Sequence, residues 1–230
     1  MTGSVYRATF GSRHILTQWI CLEKRRSTLK ATLFVIFMGI FAMVSPAAAA
    51  PHSVDARNLD IAGVKTGMDW NQALTAAAKH FQVSPDDFKL GPRSGENSYV
   101  FVITGLNIPS YFTYNKDGIN FIVHFAARVP ADMDRPLAVE QVHYELPWSQ
   151  ENSIEMGKAA LTKYGEQSNA PNILTMEWCA NPSTNSGIGC GFDNKAVLRL
   201  TQTKLELLDS AWRDEQQKFI DGLKARKPGF

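Results

Sequence analysis

Asn120-Phe121-Ile122-Val123-His124-Phe125-Ala126-Ala127-Arg128-Val129 is the stretch on which the fold turns. Phe121, Val123, Phe125, Ala127 and Val129 fall on one side of a period-two register, while Asn120, His124 and Arg128 fall on the other. That alternation is the mark of a strand buried on one face. Similar β-branched and aromatic segments lie near Tyr99–Thr104, Tyr111–Tyr114 and Ala138–Leu146, punctuated by Asn107-Ile108-Pro109 and Lys116-Asp117-Gly118. Short connections between alternating segments predict antiparallel hairpins in a meander.

Helical periods flank these strands. Trp70, Ala73, Leu74, Ala77, Ala78 and Phe81 recur at helical spacing behind Asp69, an N-cap with Gln72 three residues on. A second helix is expected from about Gln150 to Tyr164, with Ile154, Gly157, Ala160, Leu161 and Tyr164 on one side and Gly165 as its stop. Ile173–Trp178, Ala196–Thr201 and Leu205–Leu208 read as further strands. A last helix begins near Ser210, turns Trp212, Phe219, Ile220 and Leu223 inward, and ends among Lys224, Arg226 and Lys227. The expected fold class is α+β: an antiparallel meander sheet packed on one face by about three helices, after a cleaved signal peptide. With no Pro-, Gly- or Ser-rich linker, one domain is expected over residues 61–227, behind a polar stretch at 50–60.

Residues 1–49 read as the signal peptide. Lys24-Arg25-Arg26 and Lys30 precede Ala31–Val44, which carries no charge, and Ser45, Pro46 and four alanines follow. A positive region, an apolar stretch, a breaker and small residues form the order of a secretory leader, with cleavage expected after Ala49. An uncleaved membrane anchor is the alternative, for which 14 apolar residues are short of the roughly 20 a span needs. Arg25-Arg26-Ser27-Thr28-Leu29-Lys30 resembles a twin-arginine signal without its aromatic, whereas the strongly apolar stretch suits the general secretory route. Cys21 precedes the apolar stretch and so cannot carry a lipoprotein's lipid. A soluble periplasmic or secreted product, with no stable membrane span after cleavage, is the expectation.

Charge and cysteine must then be read on the mature chain. The whole chain carries 24 basic and 22 acidic residues, a balance of +2. Removing the leader takes six basic residues and one acidic, leaving 18 against 21, a balance of −3. Nucleic-acid binding needs a basic face to neutralise phosphates, so no nucleic-acid partner is expected. Two cysteines remain, Cys179 and Cys190, and an even pair bound for an oxidising compartment reads as a disulfide. Such a staple on this loop contributes roughly 2–3 kcal/mol by chain entropy. A redox pair normally has two intervening residues rather than ten, and a metal pair lacks further ligands at ligand spacing.

Ile61 to Ala73, with Gly63, Val64, Gly67 and Met68 just before the helix, resembles the opening of small exported bacterial proteins of uncharacterised role. It is distantly similar to the β-lactamase-inhibitor-like and outer-membrane assembly lipoprotein fold, whose helices start after a Gly-Met step and pack on an antiparallel sheet. Ala159 to Glu166 followed by Met176-Glu177-Trp178-Cys179 carries a second likeness, a helix ending in Lys-Tyr-Gly before a tryptophan-bearing strand. The resemblance implies a fold, a compartment and protein binding, and no catalytic residues. The missing lipid-bearing cysteine departs from the assembly lipoproteins.

The chain has no Gly-x-Ser-x-Gly elbow, His-Glu-x-x-His pair, phosphate loop or dinucleotide fingerprint, and no cofactor is expected. Gly187-Ile188-Gly189-Cys190-Gly191 is glycine-rich but reads as loop geometry. If Val129 lies near Ala138 in a hairpin, His124 faces His143 with Glu145 next along, a set able to hold a metal or act as base and acid. Tyr111, Tyr114, Tyr144 and Trp148 are candidates for an interaction patch, because aromatics anchor partners when they line one. The expected function is an exported non-enzymatic module binding a protein or envelope component; the alternative is a small exported hydrolase or metal-dependent enzyme using His124 and His143. The leader is directly testable: N-terminal sequencing of the exported protein should begin at Ala50, and a start at Met1 would overturn cleavage.

Overall fold

In a computed structural model, described for residues 52–183, 187–190 and 194–225, the Asn120 stretch forms part of the third strand of an eight-stranded antiparallel sheet. The expected leader and the basic end of the last helix at Arg226 and Lys227 lie outside the described residues. The strands are β1 (Lys89–Leu90), β2 (Tyr111–Lys116), β3 (Ile119–Ala127), β4 (Leu137–Glu145), β5 (Asn169–Asn172), β6 (Thr175–Trp178), β7 (Ala196–Thr201) and β8 (Lys204–Asp209). The helices are α1 (Trp70–Phe81), α2 (Tyr99–Thr104), α3 (Gln150–Tyr164) and α4 (Ala211–Ala225). The spatial order is β1-β2-β3-β4-β8-β7-β6-β5, two four-stranded meanders joined where β4 meets β8. α3 lies in the chain between them, in the connection from the sheet's middle to its far edge.

α1 covers the face that Phe121, Val123 and Phe125 present. Trp70 meets Phe125 at 4.7 Å and Phe112 at 5.5 Å between ring centroids, while Phe81 stacks on Tyr114 at 4.6 Å and meets Phe121 at 5.2 Å. Its start is doubly fixed. The Asp69 carboxylate accepts from Gln72 N–H and the Gln72 side chain accepts from Asp69 N–H, a closed capping box. Just upstream, Gly67 N–H donates to Val139 C=O and Val139 N–H donates to Met68 C=O, both at 2.8 Å. The Gly-Met step thus extends the sheet edge of β4, and Gly67 takes a φ of +82° that only glycine adopts without strain.

Several expectations are corrected. Tyr99–Thr104 is a helix rather than a strand. A run this short, five apolar residues and a threonine, suits either state, and here the Ser98 side chain caps Phe101 N–H while Gly105 ends the turn at positive φ. Val100, Ile103 and Thr104 go inside at helical spacing. Ile173 and Leu174 are not strand but the turn of a hairpin, held by an Asn172 side chain that accepts from Leu174 N–H. Its first arm, β5, contains Pro171 and is an edge strand, where a missing N–H is tolerated. In α3 the buried residues are Met156 and Ala160, while Ile154 and Leu161 lie exposed. In α4 the buried pair is Gln216 and Ile220, and Leu223 is exposed. Gln216 is inside because its side-chain oxygen accepts from Ala127 N–H, beyond the end of β2.

The hairpin register also differs from expectation. His124 pairs with Gln141, and His143 pairs with Ile122. A bulge opposite His124 and Phe125 inserts Glu140 into β4, and β3 ends at Ala127 rather than Val129.

Trp178 is fully buried, meets Tyr164 edge-on at 5.6 Å and donates its indole N–H to Gly165 C=O. It links α3 to the second meander. Trp178→Ala should lower unfolding free energy by about 3–5 kcal/mol in urea denaturation, whereas fully exposed Ile173→Ala should stay within about 0.5 kcal/mol.

Candidate functional site

The sheet face opposite α1 carries a cross-strand polar row. Adjacent pairings set Ile122 beside His143, His143 beside Glu206, Glu206 beside Arg199 and Arg199 beside Glu177. His143 Nε2 lies 3.0 Å from Glu145 Oε2, and Gln141 donates to Glu206. Glu177 is almost wholly buried, and its carboxylate accepts from Arg199 Nε at 2.6 Å and from Cys190 N–H. Both oxygens are thereby satisfied, as a buried carboxylate requires.

That carboxylate organises the stapled loop. The sulfurs of Cys179 and Cys190 stand 2.09 Å apart, a disulfide. Asn169 donates to the carbonyls of Ser183 and Gly189, and Asn194 bridges Asn181 and Cys190. A β-carbon at Gly189 would collide with the Glu177 carboxylate. The glycine-rich phrase is therefore a close approach of backbone to a buried charge; its last member, Gly191, lies outside the described residues.

The histidine set does not assemble as expected. His124 and His143 lie two residues out of opposition on one face, and neither lines any cavity described here. Among the described residues no group of three His, Cys, Asp or Glu side chains is placed to hold a metal. His124 packs instead against Tyr111 at 5.5 Å. Burial holds its imidazole below the usual 6.5; the Glu140 charge works upward, and His143 and Arg213 work downward.

The four candidate aromatics also separate. Tyr111 lies on the polar-row face, beside His124. Tyr114 is buried against Phe81 and Phe88. Tyr144, opposite Phe121, faces a cavity under α3, with burial raising its phenol above the usual range. Trp148, 70% exposed, stands alone of the four at the link into α3.

What the structure does bring together is a set of apolar side chains outside the core. Ile173 at the hairpin turn is 100% exposed, Leu174 beside it 53%, and Ile154 and Leu161 on α3 are exposed as well. With Gly157, Met176 and Leu200 they line a groove of about 310 Å³ between α3 and the β5–β6 hairpin. Glu151, Glu155 and Lys158 border the same side of α3. Helical periodicity misses this face because it assigns the largest apolar residues to the core.

No known protein family, curated protein or solved structure matches this chain.

The electrostatics of His124 give a signed pH dependence. The folded protein binds this proton less readily than the unfolded chain, so the stabilising contribution is whole above about pH 6.5 and is lost as pH falls below it. His80, held low by burial and by Lys163, adds to the same slope. NMR titration should place the His124 midpoint below 6.5, and His124→Gln should lose less stability than the parent between pH 7 and pH 5.

Proposed function

We propose that the chain is an exported, non-enzymatic α+β module that binds a protein of the periplasm or cell exterior through the face formed by α3 and the β5–β6 hairpin. The fully exposed Ile173, flanked by Leu174, Ile154 and Leu161 around a groove, carries this reading. A contiguous apolar patch costs solvation in an isolated protein and marks an interaction surface. Its border carries both signs of charge, Glu151 and Glu155 with Lys158, and so lacks the cationic excess that draws a helix to anionic lipid. An apolar centre inside a mixed polar rim is the anatomy of a protein interface. Protein binding is also what the resemblance of the Gly67-Met68 helix start implies.

The test is capture from a periplasmic extract followed by hydrogen exchange on the purified pair. Parent protein and Leu90→Asp, on the opposite edge strand, should retain the partner. Ile173→Asp and Leu161→Asp should weaken it by about thirtyfold or more, the scale of an interface hot spot. Exchange protection should fall on α3 and the hairpin. Equal retention by all variants, or binding to lipid vesicles in place of protein, would overturn the reading.

A further inference from the structure

On the other side of α3 lies a cavity of about 340 Å³, between that helix, the end of α1 and the sheet. Its apolar lining comes from Ile61, Leu146, Met156, Ala160, Leu200 and Leu205. Tyr144 and His80 also line it, and neither side chain makes a hydrogen bond to any described residue. The charged groups at its rim are already matched. Lys163 donates to the Asp60 carboxylate at 2.7 Å and to the Asp60 carbonyl, and Glu155 accepts from Lys158 at 2.8 Å. Tyr164 donates to the same Asp60 carbonyl, which fixes the rim beside α1.

This combination specifies a ligand class. The cavity opens to solvent at a rim where His80, Ala159 and Lys163 are exposed, so it admits an apolar body laid along α3 with its head at the mouth. Small-molecule sites pair an apolar lining with a few polar groups that orient the ligand, and here the open groups are an uncharged phenol and an imidazole. A charged head would find no unpaired counter-charge and would lose its hydration.

We propose that the cavity under α3 is a binding site for a small neutral amphiphile, an apolar chain or fused ring with one hydrogen-bonding head directed at Tyr144 and His80. The site adjoins the docking face and shares Leu200 with it, but it uses the Met156 and Ala160 side of α3, and its occupancy needs no protein partner.

The probe is N-phenyl-1-naphthylamine, neutral and apolar with one N–H, titrated into the purified exported protein by fluorescence. Saturable binding of one probe per chain is expected, displaced by decanol at least about tenfold more effectively than by decanoate or decylammonium. Ala159→Trp, at an exposed position on the cavity lining, should abolish binding while circular dichroism and the melting transition stay unchanged. Tyr144→Phe, which removes one oxygen, should weaken decanol about fivefold, the scale of one hydrogen bond. Ile173→Asp should bind the probe as the parent does, which separates failure here from failure of the docking face. No saturable binding, preference for either charged amphiphile, or full binding by a folded Ala159→Trp protein would overturn the proposal.

Discussion

The pairing of β4 with β8 is the joint on which the structure depends. It sets Gln141 to Glu145 against Leu208 to Lys204 and is the one strand pairing in the sheet between segments that do not follow one another in the chain. Every other ladder among the described strands joins neighbours in chain order, through a tight turn as between β2 and β3 or a longer connection such as α2 between β1 and β2. This ladder places Val142 beside Leu207 and Tyr144 beside Leu205, both pairs facing the core side. It also completes the polar row on the reverse side, where His143 meets Glu206. Without it the molecule would be two four-stranded meanders, each with an uncovered edge and half a core.

The β3 alternation, the stripe and cap of α1, the span of α3 and the last hairpin were legible in the sequence because each is a local pattern longer than its ambiguity. Tyr99–Thr104 was not, since a six-residue run fits both periods and only Ser98 and Gly105 decide between them. β5 was hidden because Asn-Ala-Pro-Asn has no strand character apart from the partner it lies against. The β4–β8 pairing was out of reach because alternation tells which face a residue takes and not which strand stands beside it. The register of the β3–β4 ladder as a whole, and not its bulge, sets the two histidines two residues out of opposition.

The candidate site was less legible than the fold, for a physical reason. Pattern reading equates apolar with buried, so it places Ile154 and Leu161 on the inner side of α3 and does not see the face they form. Met156 and Ala160, a turn apart, occupy the inner position instead. The stapled loop was the exception: two cysteines around a polar interior are informative without any knowledge of packing. Its anchor, the buried Glu177, gave no such signal, since a lone glutamate in a short strand reads as a solvated side chain.

The start of the described chain holds a further consequence. Val54 N–H donates to Cys179 C=O, Ser53 donates to the Ala180 carbonyl, and Arg57 donates to the Asp209 carboxylate 152 positions away. The earliest described residues are therefore fastened by residues 127 and 152 positions further on. A polypeptide that emerges from its N-terminus cannot close the Ser53 and Val54 contacts until β6 has been made, nor the Arg57 contact until β8 is present. Ordering by such distant contacts is slow, and for that interval Val54 and Arg57 stay unlatched, open to whatever meets the nascent protein first.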